Sequence, residues 1–339
     1  MTDFTDLIDL ASERLGAAVV DANDEFFAPK ESLIKPHAPE WREGVYTERG
    51  KWMDGWETRR RRMPGYDWAI VRLGATGVVR GVVIDTTFFR GNYPEQASIE
   101  GCEFPGVPSP DELTSERTAW RQILQPVALS GDAKNHFAVD DRERVTHLRL
   151  NIYPDGGVAR LRVFGDVKPD PRVLTGDSVD LAAMQNGGYV ELCSDMFFGH
   201  RQNLILPGRS MHMGDGWETK RRRGPGHDWT IVRLAARAVI DRVEIDTDHF
   251  KGNAPGACSV DARSASAGVD LRGGPWSEIV PQTPLQPHAR HVFDTTARPA
   301  TSYVRLNIYP DGGVARLRLI GRVVGDHVIG GRPTLVAVK

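Results

Sequence analysis

A run of charged residues beside tryptophan occurs twice in this chain of 339 residues. Asp54-Gly-Trp-Glu-Thr is followed by four arginines, Arg59–Arg62, and the same five residues from Asp215 are followed by Lys220 and then Arg221–Arg223. Guanidinium groups bind carboxylates through paired hydrogen bonds, and carboxylates accept hydrogen bonds from N–H groups. The motif predicts a small polar pocket for an anion that carries N–H groups. A solvated loop of charges is the alternative.

Imidazole groups stand at motif positions of the second copy alone. His227 occupies the position of Tyr66, and Asp248-His249 occupies the position of Thr87-Phe88. Because histidine exchanges protons near neutral pH, these substitutions predict general acid or base chemistry in the second copy. A metal site built from His227, Asp248 and His249 is an alternative, although no helical spacing of histidines fixes it.

The candidate site residues fall into two groups. The catalytic candidates are Glu218, His227, Asp248 and His249. The substrate-binding candidates are Glu57, Arg61, Arg62, Asp215, Arg221, Arg222, Arg223 and Asp228. No metal ligand is assigned and no cofactor is firmly indicated; a divalent metal stays open, without ligand spacing that supports it.

Both motifs belong to a repeat that spans the chain. The segment Asp54–Leu73 recurs at Asp215–Leu234, and Arg149–Arg162 is identical to Arg305–Arg318. The offset falls from 161 to 156 residues between them, so the first copy has an insertion within residues 101–120. This insertion is rich in proline and predicts a surface loop. The expected domains are a first repeat at 1–168, a second repeat at 172–325 and a C-terminal tail at 326–339.

The elements that must position these residues are mostly strands. Leu148, Leu150 and Ile152 alternate with polar residues, as expected for strands with one buried face. Apolar residues at helical spacing between Phe4 and Leu15 predict a short helix at the start of each copy. The pattern predicts an all-β protein made of tandem duplicated jelly-roll β-sandwich domains.

The segment Tyr153-Pro-Asp-Gly-Gly157 has the composition of a tight turn and predicts a hairpin between its flanking strands. Four polar residues on those strands lie at alternate positions and would form a patch on the face away from the core: Arg149, Asn151, Arg160 and Arg162. Such a patch could face a ligand or be buried between domains or between subunits.

Composition limits the classes of partner. Lys and Arg total 43 against 45 Asp and Glu, a formal charge of −2, so a nucleic-acid partner is not expected. The acidic N-terminus does not resemble a signal peptide, and no apolar stretch is long enough for a membrane span. The three cysteines have no metal or disulfide spacing. A cytoplasmic protein is therefore expected.

Taken together, the motifs resemble the allantoicase family, which converts allantoate to ureidoglycolate and urea. The resemblance rests on Asp-x-Phe-Phe, Asp-Gly-Trp-Glu-Thr, Asp-Trp-x-Ile-Val-Arg-Leu and Asn-Ile-Tyr-Pro-Asp-Gly-Gly-Val-Ala-Arg, each present twice. It implies a hydrolase acting on carbon–nitrogen bonds of linear amidines, two galactose-binding-like jelly-roll domains, a cytosolic setting and a homo-oligomer. Some members respond to divalent metal.

Allantoate has one carboxylate and two ureido arms, which fits the residue types of the motifs. The arginine pair Arg222–Arg223 or Arg61–Arg62 would hold the carboxylate, and Glu218 or Glu57 would hold ureido N–H groups. His249 would protonate the departing urea nitrogen, and Asp248 or Glu218 would direct water to the resulting electrophile. The alternative is a non-enzymatic tandem β-sandwich module that binds a small anion or carbohydrate.

Overall fold

The computed structural model describes residues 4–328, and nearly all of its regular structure is β-strand. The chain divides into two compact units between Lys168 and Pro169. The final strand, Arg316–Val328, runs into the segment predicted as a C-terminal tail; residues 329–339 of that tail lie outside the described residues. Within residues 4–328, no helix has the length and apolar character needed to span a bilayer.

The first repeat contains twelve strands between residues 4 and 168. They are β1 Ile8–Asp9, β2 Ala18–Ala22, β3 Tyr46–Thr47, β4 Gly50–Lys51, β5 Trp56–Glu57, β6 Asp67–Asp85, β7 Gln96–Cys102, β8 Arg121–Ala128, β9 Lys134–Ala138, β10 Val145–Tyr153, β11 Gly157–Val158 and β12 Arg160–Val167. Eight of these form one sheet in the order β1-β12-β6-β10-β7-β8, with β2 and β9 also paired to β6. The pairs β5–β11 and β3–β4 form two smaller sheets.

The second repeat has ten strands within residues 169–328, in the same order as in the first repeat except that the described residues contain no counterpart of β3, β4 or α1. Its strands are β13 Val179–Asp180, β14 Tyr189–Cys193, β15 Trp217–Glu218, β16 Asp228–Asp246, β17 Ala257–Arg263, β18 Ser277–Pro284, β19 Arg290–Asp294, β20 Thr301–Tyr309, β21 Gly313–Val314 and β22 Arg316–Val328. Its eight-stranded sheet runs β13-β22-β16-β20-β17-β18, with β14 and β19 paired to β16. The tandem β-sandwich prediction is confirmed.

One long strand organises each repeat. Strand β6 pairs with β10 and β2 through its first half and with β12 and β9 through its second half. A strand shared between two layers is how a jelly roll closes its sandwich. The core includes Trp56 and Trp217, both fully buried, whose indole N–H groups donate to the carbonyls of Asp24 and Asp195.

The expected N-terminal helix of each copy takes the form of short 3₁₀ turns. The turns are Phe4–Asp6, Glu13–Leu15 and Lys30–Ile34 in the first repeat, and Pro171–Leu174, Met184–Asn186, Arg201–Ile205 and Met213–Asp215 in the second. In the first repeat a continuous helix does not form, because strand β1 pairs with β12. The Asp9 carboxylate also accepts hydrogen bonds from the backbone N–H groups of Ala11 and Val163. Tertiary pairing here overrides the helical spacing of apolar residues.

The proline-rich insertion is not only a loop. Residues Pro110–Thr114 form helix α1, which begins with Ser109 and Glu112 in a reciprocal capping box. Leu113 is fully buried against Ile70 and Cys102, and its carbonyl accepts the indole N–H of Trp120. The prediction of a surface loop did not take into account that Leu113 could be buried and that Trp120 could pack against it.

The prediction of a hairpin at Tyr153–Gly157 is wrong. The flanking strands β10 and β12 each pair with β6 and not with each other. The predicted polar patch is therefore divided. Arg149 and Asn151 both contact Glu100, whereas Arg160 binds Asp54. Arg160 is 1% exposed and lies inside its own repeat.

Candidate active site

The charged run of each repeat is held in place by acids from three other segments. In the first repeat, Arg59 Nε lies 2.6 Å from Asp24 Oδ2, and Arg61 Nη2 lies 2.6 Å from Asp67 Oδ1. The backbone N–H of Arg61 also donates to Asp155 Oδ2 at 2.8 Å. These contacts tie the run to the Asp-x-Phe-Phe segment, to the start of β6 and to the turn after β10.

The second repeat repeats this arrangement. Lys220 pairs with Asp195 at 3.3 Å, and Arg222 pairs with the buried Asp228. The N–H of Arg222 donates to Asp311 Oδ2 at 2.8 Å. Arg61 and Arg222, predicted to hold a substrate carboxylate, thus each already bind a buried acid of their own repeat.

The other cations of the two runs point to solvent. Among residues 4–328, no hydrogen bond or ion pair involves the exposed side chains of Arg60, Arg62, Arg221 or Arg223. These four side chains are accessible to an anion. The cavity of the first repeat that is described below is lined by neither Arg61 nor Arg62. The roles predicted for Arg62, Arg221 and Arg223 stay predictions.

The aspartates at the start of the motif form buried ion pairs. Asp54 Oδ2 lies 2.6 Å from Arg160 Nη2, and Asp215 Oδ2 lies 2.9 Å from Arg316 Nη2. Burial acts to raise the pKa of Asp54, but hydrogen bonds from Arg160 and from the backbone of Glu40 bring it below its usual value. Asp215, predicted to bind substrate, therefore takes part in a contact that supports the fold.

A glutamate and an asparagine from separate motifs meet in both repeats. Asn92 Nδ2 donates to Glu57 Oε1 at 2.7 Å, and Asn253 donates to Glu218 in the same way. Strand β5 carries Glu57, and Asn92 lies in the turn between β6 and β7. The carbonyl of Asn92 accepts the N–H of Gly157, which has no room for a Cβ because the Phe89 ring lies against it. The pair is thus built into the fold.

The Glu57–Asn92 pair lines a cavity of about 630 Å³ in the first repeat. The other lining residues are Phe27, Trp41, Gly50, Lys51, Met53, Phe88, Arg90 and Gly91. Burial raises the pKa of Glu57, and the hydrogen bond from Asn92 opposes this only in part. A carboxyl group with a raised pKa in a concave, partly aromatic site is a candidate proton donor.

A hairpin found in the first repeat forms one wall of this cavity. Strands β3 and β4 place Lys51 Nζ 4.1 Å from the centre of the Trp41 ring, and that ring lies 5.6 Å from Phe88. Asp24 and Asp54 are 30 residues apart, whereas Asp195 and Asp215 are 20 apart, so the hairpin segment is ten residues longer than its counterpart. The difference in spacing is visible in the sequence, but the residues that it adds lie outside the repeated motifs and were not among the predicted site residues.

The second repeat has an imidazole–carboxylate group where the first repeat has Phe88. His249 has a φ of 70°, as Phe88 has a φ of 71°, and its Nε2 lies 3.0 Å from the carbonyl oxygen of Ser210. Its backbone N–H donates to His288 Nδ1 at 2.9 Å, and that atom also lies 2.8 Å from Asp248 Oδ1. The structure therefore brings His249 and Asp248 together and adds His288, which sequence reasoning did not single out.

His227 belongs to a different group. Its Nε2 lies 3.2 Å from Asn307 Oδ1, and its ring packs against Tyr309 at 4.7 Å. Over the part of the chain that the structure describes, no set of three His, Cys, Asp or Glu side chains is placed to hold a metal ion. The grouping of His227, His249 and Asp248 considered as a metal site does not occur.

Comparison with known proteins gives a consistent result. A family model described as Allantoicase repeat matches residues 8–168 and again 179–324. A probable allantoicase of Pseudomonas paraeruginosa is 49% identical over 326 residues, covering 94% of this chain and 97% of the relative. One from Nocardia farcinica is 49% identical over 324 residues, with 95% and 96% covered. A crystal structure of allantoicase from Saccharomyces cerevisiae is 36% identical, with a TM-score of 0.78 and 93% of each chain covered.

Proposed function

The chain belongs to the allantoicase family, and we propose that it hydrolyses allantoate to ureidoglycolate and urea in the aromatic-walled cavity of its first repeat. It is a hydrolase of carbon–nitrogen bonds in linear amidines. The observation that supports the location best is Glu57, a half-buried carboxyl with a raised pKa that is hydrogen-bonded to Asn92 in a cavity also lined by Lys51 and Arg90. A fold alone does not decide chemistry, so the site is argued from these groups.

The cavity offers each part of allantoate a partner. Lys51 and Arg90 lie on its wall and carry the charges needed for the single carboxylate. Phe27, Trp41 and Phe88 present rings beside which planar ureido groups can pack. Glu57 and Asn92 supply the hydrogen bonds to a ureido nitrogen and oxygen.

The reaction needs a proton on the departing nitrogen, because a ureido anion is a poor leaving group. The protonated carboxyl of Glu57 gives its proton to one ureido nitrogen as the carbon–nitrogen bond breaks, releasing urea and leaving an N-acyliminium ion. Water then adds to the same carbon, and the Glu57 carboxylate accepts the proton that water loses. One carboxyl group thus serves as acid and then as base, and ureidoglycolate forms with Glu57 restored.

The second repeat provides the alternative location. It keeps the Glu218–Asn253 pair and has Asp248, His249 and His288 near the position where the first repeat has Phe88. The prediction that His249 is the acid, with Asp248 or Glu218 directing water, stays a prediction for this repeat. Because both repeats carry a glutamate–asparagine pair, matched variants can decide between them.

The activity itself is tested by urea release. Purified full-length protein is incubated with allantoate, and urea is followed in a coupled assay. Urea formed in proportion to enzyme concentration supports the proposal, whereas allantoate binding without urea would favour the non-enzymatic binding module. The same assay after treatment with a chelator tests the divalent metal: activity that falls and returns with added metal would show a metal requirement.

The proposal also covers the setting of the protein: a homo-oligomer in the cytoplasm. In the second repeat, Phe197 and Phe198 are 71% and 62% exposed, an apolar surface that contact with another chain would cover. Cys102, Cys193 and Cys258 are unpaired, which agrees with a reducing compartment. Light scattering during size-exclusion chromatography tests the assembly, and a mass equal to one chain would contradict it.

A further inference from the structure

A second cavity, of about 320 Å³, lies on a charged face of the second repeat. It is lined by Gly208, Arg209, Glu244, Asp246, Arg290, Arg316 and Arg318. Strand β16 provides the two acids, β19 provides Arg290 and β22 provides the last two arginines. None of these seven residues belongs to the glutamate–asparagine pair or to the charged run.

The strand register explains why these charges lie together. Asp246 pairs with Arg290 on one side and with Arg316 on the other, and Glu244 pairs with Arg318. Residues two apart on a strand face the same way, and directly paired residues share a face. The three strands therefore present arginine, carboxylate and arginine in a row, and the cavity lies over this row.

Two of the four arginines, Arg316 and Arg318, have hydrogen-bonding capacity to spare, whereas Arg209 pairs with Asp248 at 3.3 Å and Arg290 pairs with Glu244. Arg316 is 4% exposed, donates from Nη1 and Nη2 to Asp215, and its buried Nε has no partner among the described residues. Arg318 donates from Nη2 to the carbonyl of Gly208, while its Nη1 has no partner within residues 4–328. An unsatisfied buried donor costs free energy, so a ligand that engages these groups would gain from it.

Carboxylate acceptors stand beside these donors. Glu244 is buried and pairs with Arg290 and, at 3.2 Å, with Arg242. Asp246 receives the N–H of Asp248 on Oδ1, and its Oδ2 accepts no hydrogen bond from any residue that the structure describes. A ligand in this cavity therefore meets guanidinium donors and a carboxylate acceptor together.

The first repeat differs at four corresponding positions. In the alignment of the two copies, His37 occupies the position of Gly208, Ala38 that of Arg209, Val83 that of Glu244 and Lys134 that of Arg290. In the first repeat, Arg160 Nε donates to the carbonyl of His37 at 3.1 Å, and Arg160 Nη2 lies 3.3 Å from His37 Nδ1. Gly208 has no side chain to cover Arg316 in this way. The second repeat therefore has a cavity lined by arginines and carboxylates at a position where the His37 side chain lies against Arg160 in the first repeat.

We propose that this cavity binds a small carboxylate that also carries amide or ureido N–H groups. The guanidinium groups of Arg209, Arg290 and Arg318 hold the ligand carboxylate, and Asp246 Oδ2 accepts its N–H groups. A ligand with several negative charges is disfavoured, because Glu244 and Asp246 would repel it. The proposal does not depend on turnover in the first repeat, although the substrate and the product of that reaction belong to this ligand class.

The test is calorimetric titration of the full chain with N-carbamoylglycine, which has one carboxylate and one ureido arm and no second ureido group to lose. We expect two binding sites per chain in the unaltered protein, one in each cavity. Arg209→Ala, which installs the residue of the first repeat, combined with Arg290→Gln should remove one site or weaken it at least tenfold. Glu244 keeps Arg242 as a partner in that variant.

Lys134→Gln is the matched control, because Lys134 occupies the corresponding position of the first repeat, and it should leave both sites intact. Unfolding temperatures of all variants are compared to confirm that they fold. Unaltered protein that binds no N-carbamoylglycine, or a double variant with an unchanged isotherm, would overturn the proposal. Inorganic phosphate that binds the second site as tightly as N-carbamoylglycine would overturn the ligand class. Loss of turnover in Glu57→Gln with both sites retained would leave this inference standing.

Discussion

Glu57 differs from the other acids of the repeated motif in what surrounds it. Asp54 and Asp67 are buried and each lies against an arginine, whereas Glu57 receives a hydrogen bond from the neutral Asn92 and faces a cavity. A paired carboxylate is held in its charged form, whereas burial without a neighbouring cation raises the pKa of a carboxyl group such as Glu57. This difference is why we propose the proton-transfer role for Glu57.

The pH dependence of kcat follows from this environment. Because burial raises the pKa of Glu57, its acid form persists closer to neutrality, and kcat should fall as pH rises through that pKa. Asn92→Ala removes the hydrogen bond that lowers this pKa, so the alkaline limb should move to higher pH. Profiles of kcat against pH for both proteins test this. An unmoved limb would mean that Glu57 is not the titrating group.

Neighbouring arginines of the run should respond differently to substitution. Arg222→Gln leaves the carboxylate of Asp228, which is 2% exposed, without its cation, and should cost about 1–3 kcal/mol of stability. Arg221→Gln alters an exposed side chain and should cost under about 0.5 kcal/mol. Urea denaturation measures both. Equal stability with a raised KM in Arg222→Gln would restore its predicted role as a substrate ligand.

The hairpin β3–β4 is one of the elements that distinguish the two repeats. Trp41 forms part of the cavity wall between Lys51 and Phe88, so Trp41→Ala should raise KM for allantoate about tenfold through lost contact with substrate. Tyr46→Ala is the control, because Tyr46 is 71% exposed and does not line the cavity. Equal KM values in the two variants would show that the hairpin does not touch substrate.

Local patterns predicted the strands well but not all of their pairings. Alternation at Leu148, Leu150 and Ile152 identifies β10 correctly, because one face of that strand is buried. The turn at Tyr153–Gly157 was taken for a hairpin, since turn composition reports a change of direction and not which strands pair. The partner of both β10 and β12 is the distant β6, and only the folded chain reveals it.

Comparison of the two copies was a better guide to the candidate site than residue types were. Comparing copies pointed to Glu57, Glu218 and the imidazole at position 249, and the structure places the two glutamates in equivalent pairs. The contacts that hold the arginine run could not be predicted, because partners such as Asp155 and Asp311 come from distant segments that the sequence does not connect. Lys51 and Trp41 were missed because they lie in the segment without a counterpart in the second copy.

Acid should destabilise the first repeat through one buried histidine. His147 is 2% exposed, and its Tyr303 counterpart shows that no imidazole is required there. Burial and the nearby Arg72 lower the pKa of His147 to about 4, against roughly 6.5 when unfolded. The unfolded chain therefore takes up a proton first, and up to about 3 kcal/mol of stability is lost as pH falls from about 6.5 to 4.

His147→Gln should remove this loss, which is measured as the difference between the variant and the unaltered protein in urea denaturation at pH 7 and pH 4.5. Burial raises the pKa of Asp9 to about 6, which acts in the opposite direction by favouring the folded state as pH falls. That contribution is common to both proteins and cancels in the difference. Parallel losses of stability in the two proteins would contradict the assignment to His147.

The whole molecule carries two copies of one glutamate–asparagine pair, and the central claim is that the first performs the reaction. Steady-state urea release from Glu57→Gln and Glu218→Gln, measured beside the unaltered protein, tests it most directly. We expect Glu57→Gln to lose about 10²–10⁴-fold in kcat while Glu218→Gln stays within about threefold. The reverse pattern would contradict the account and move the reaction to the second repeat, with Asp248 and His249.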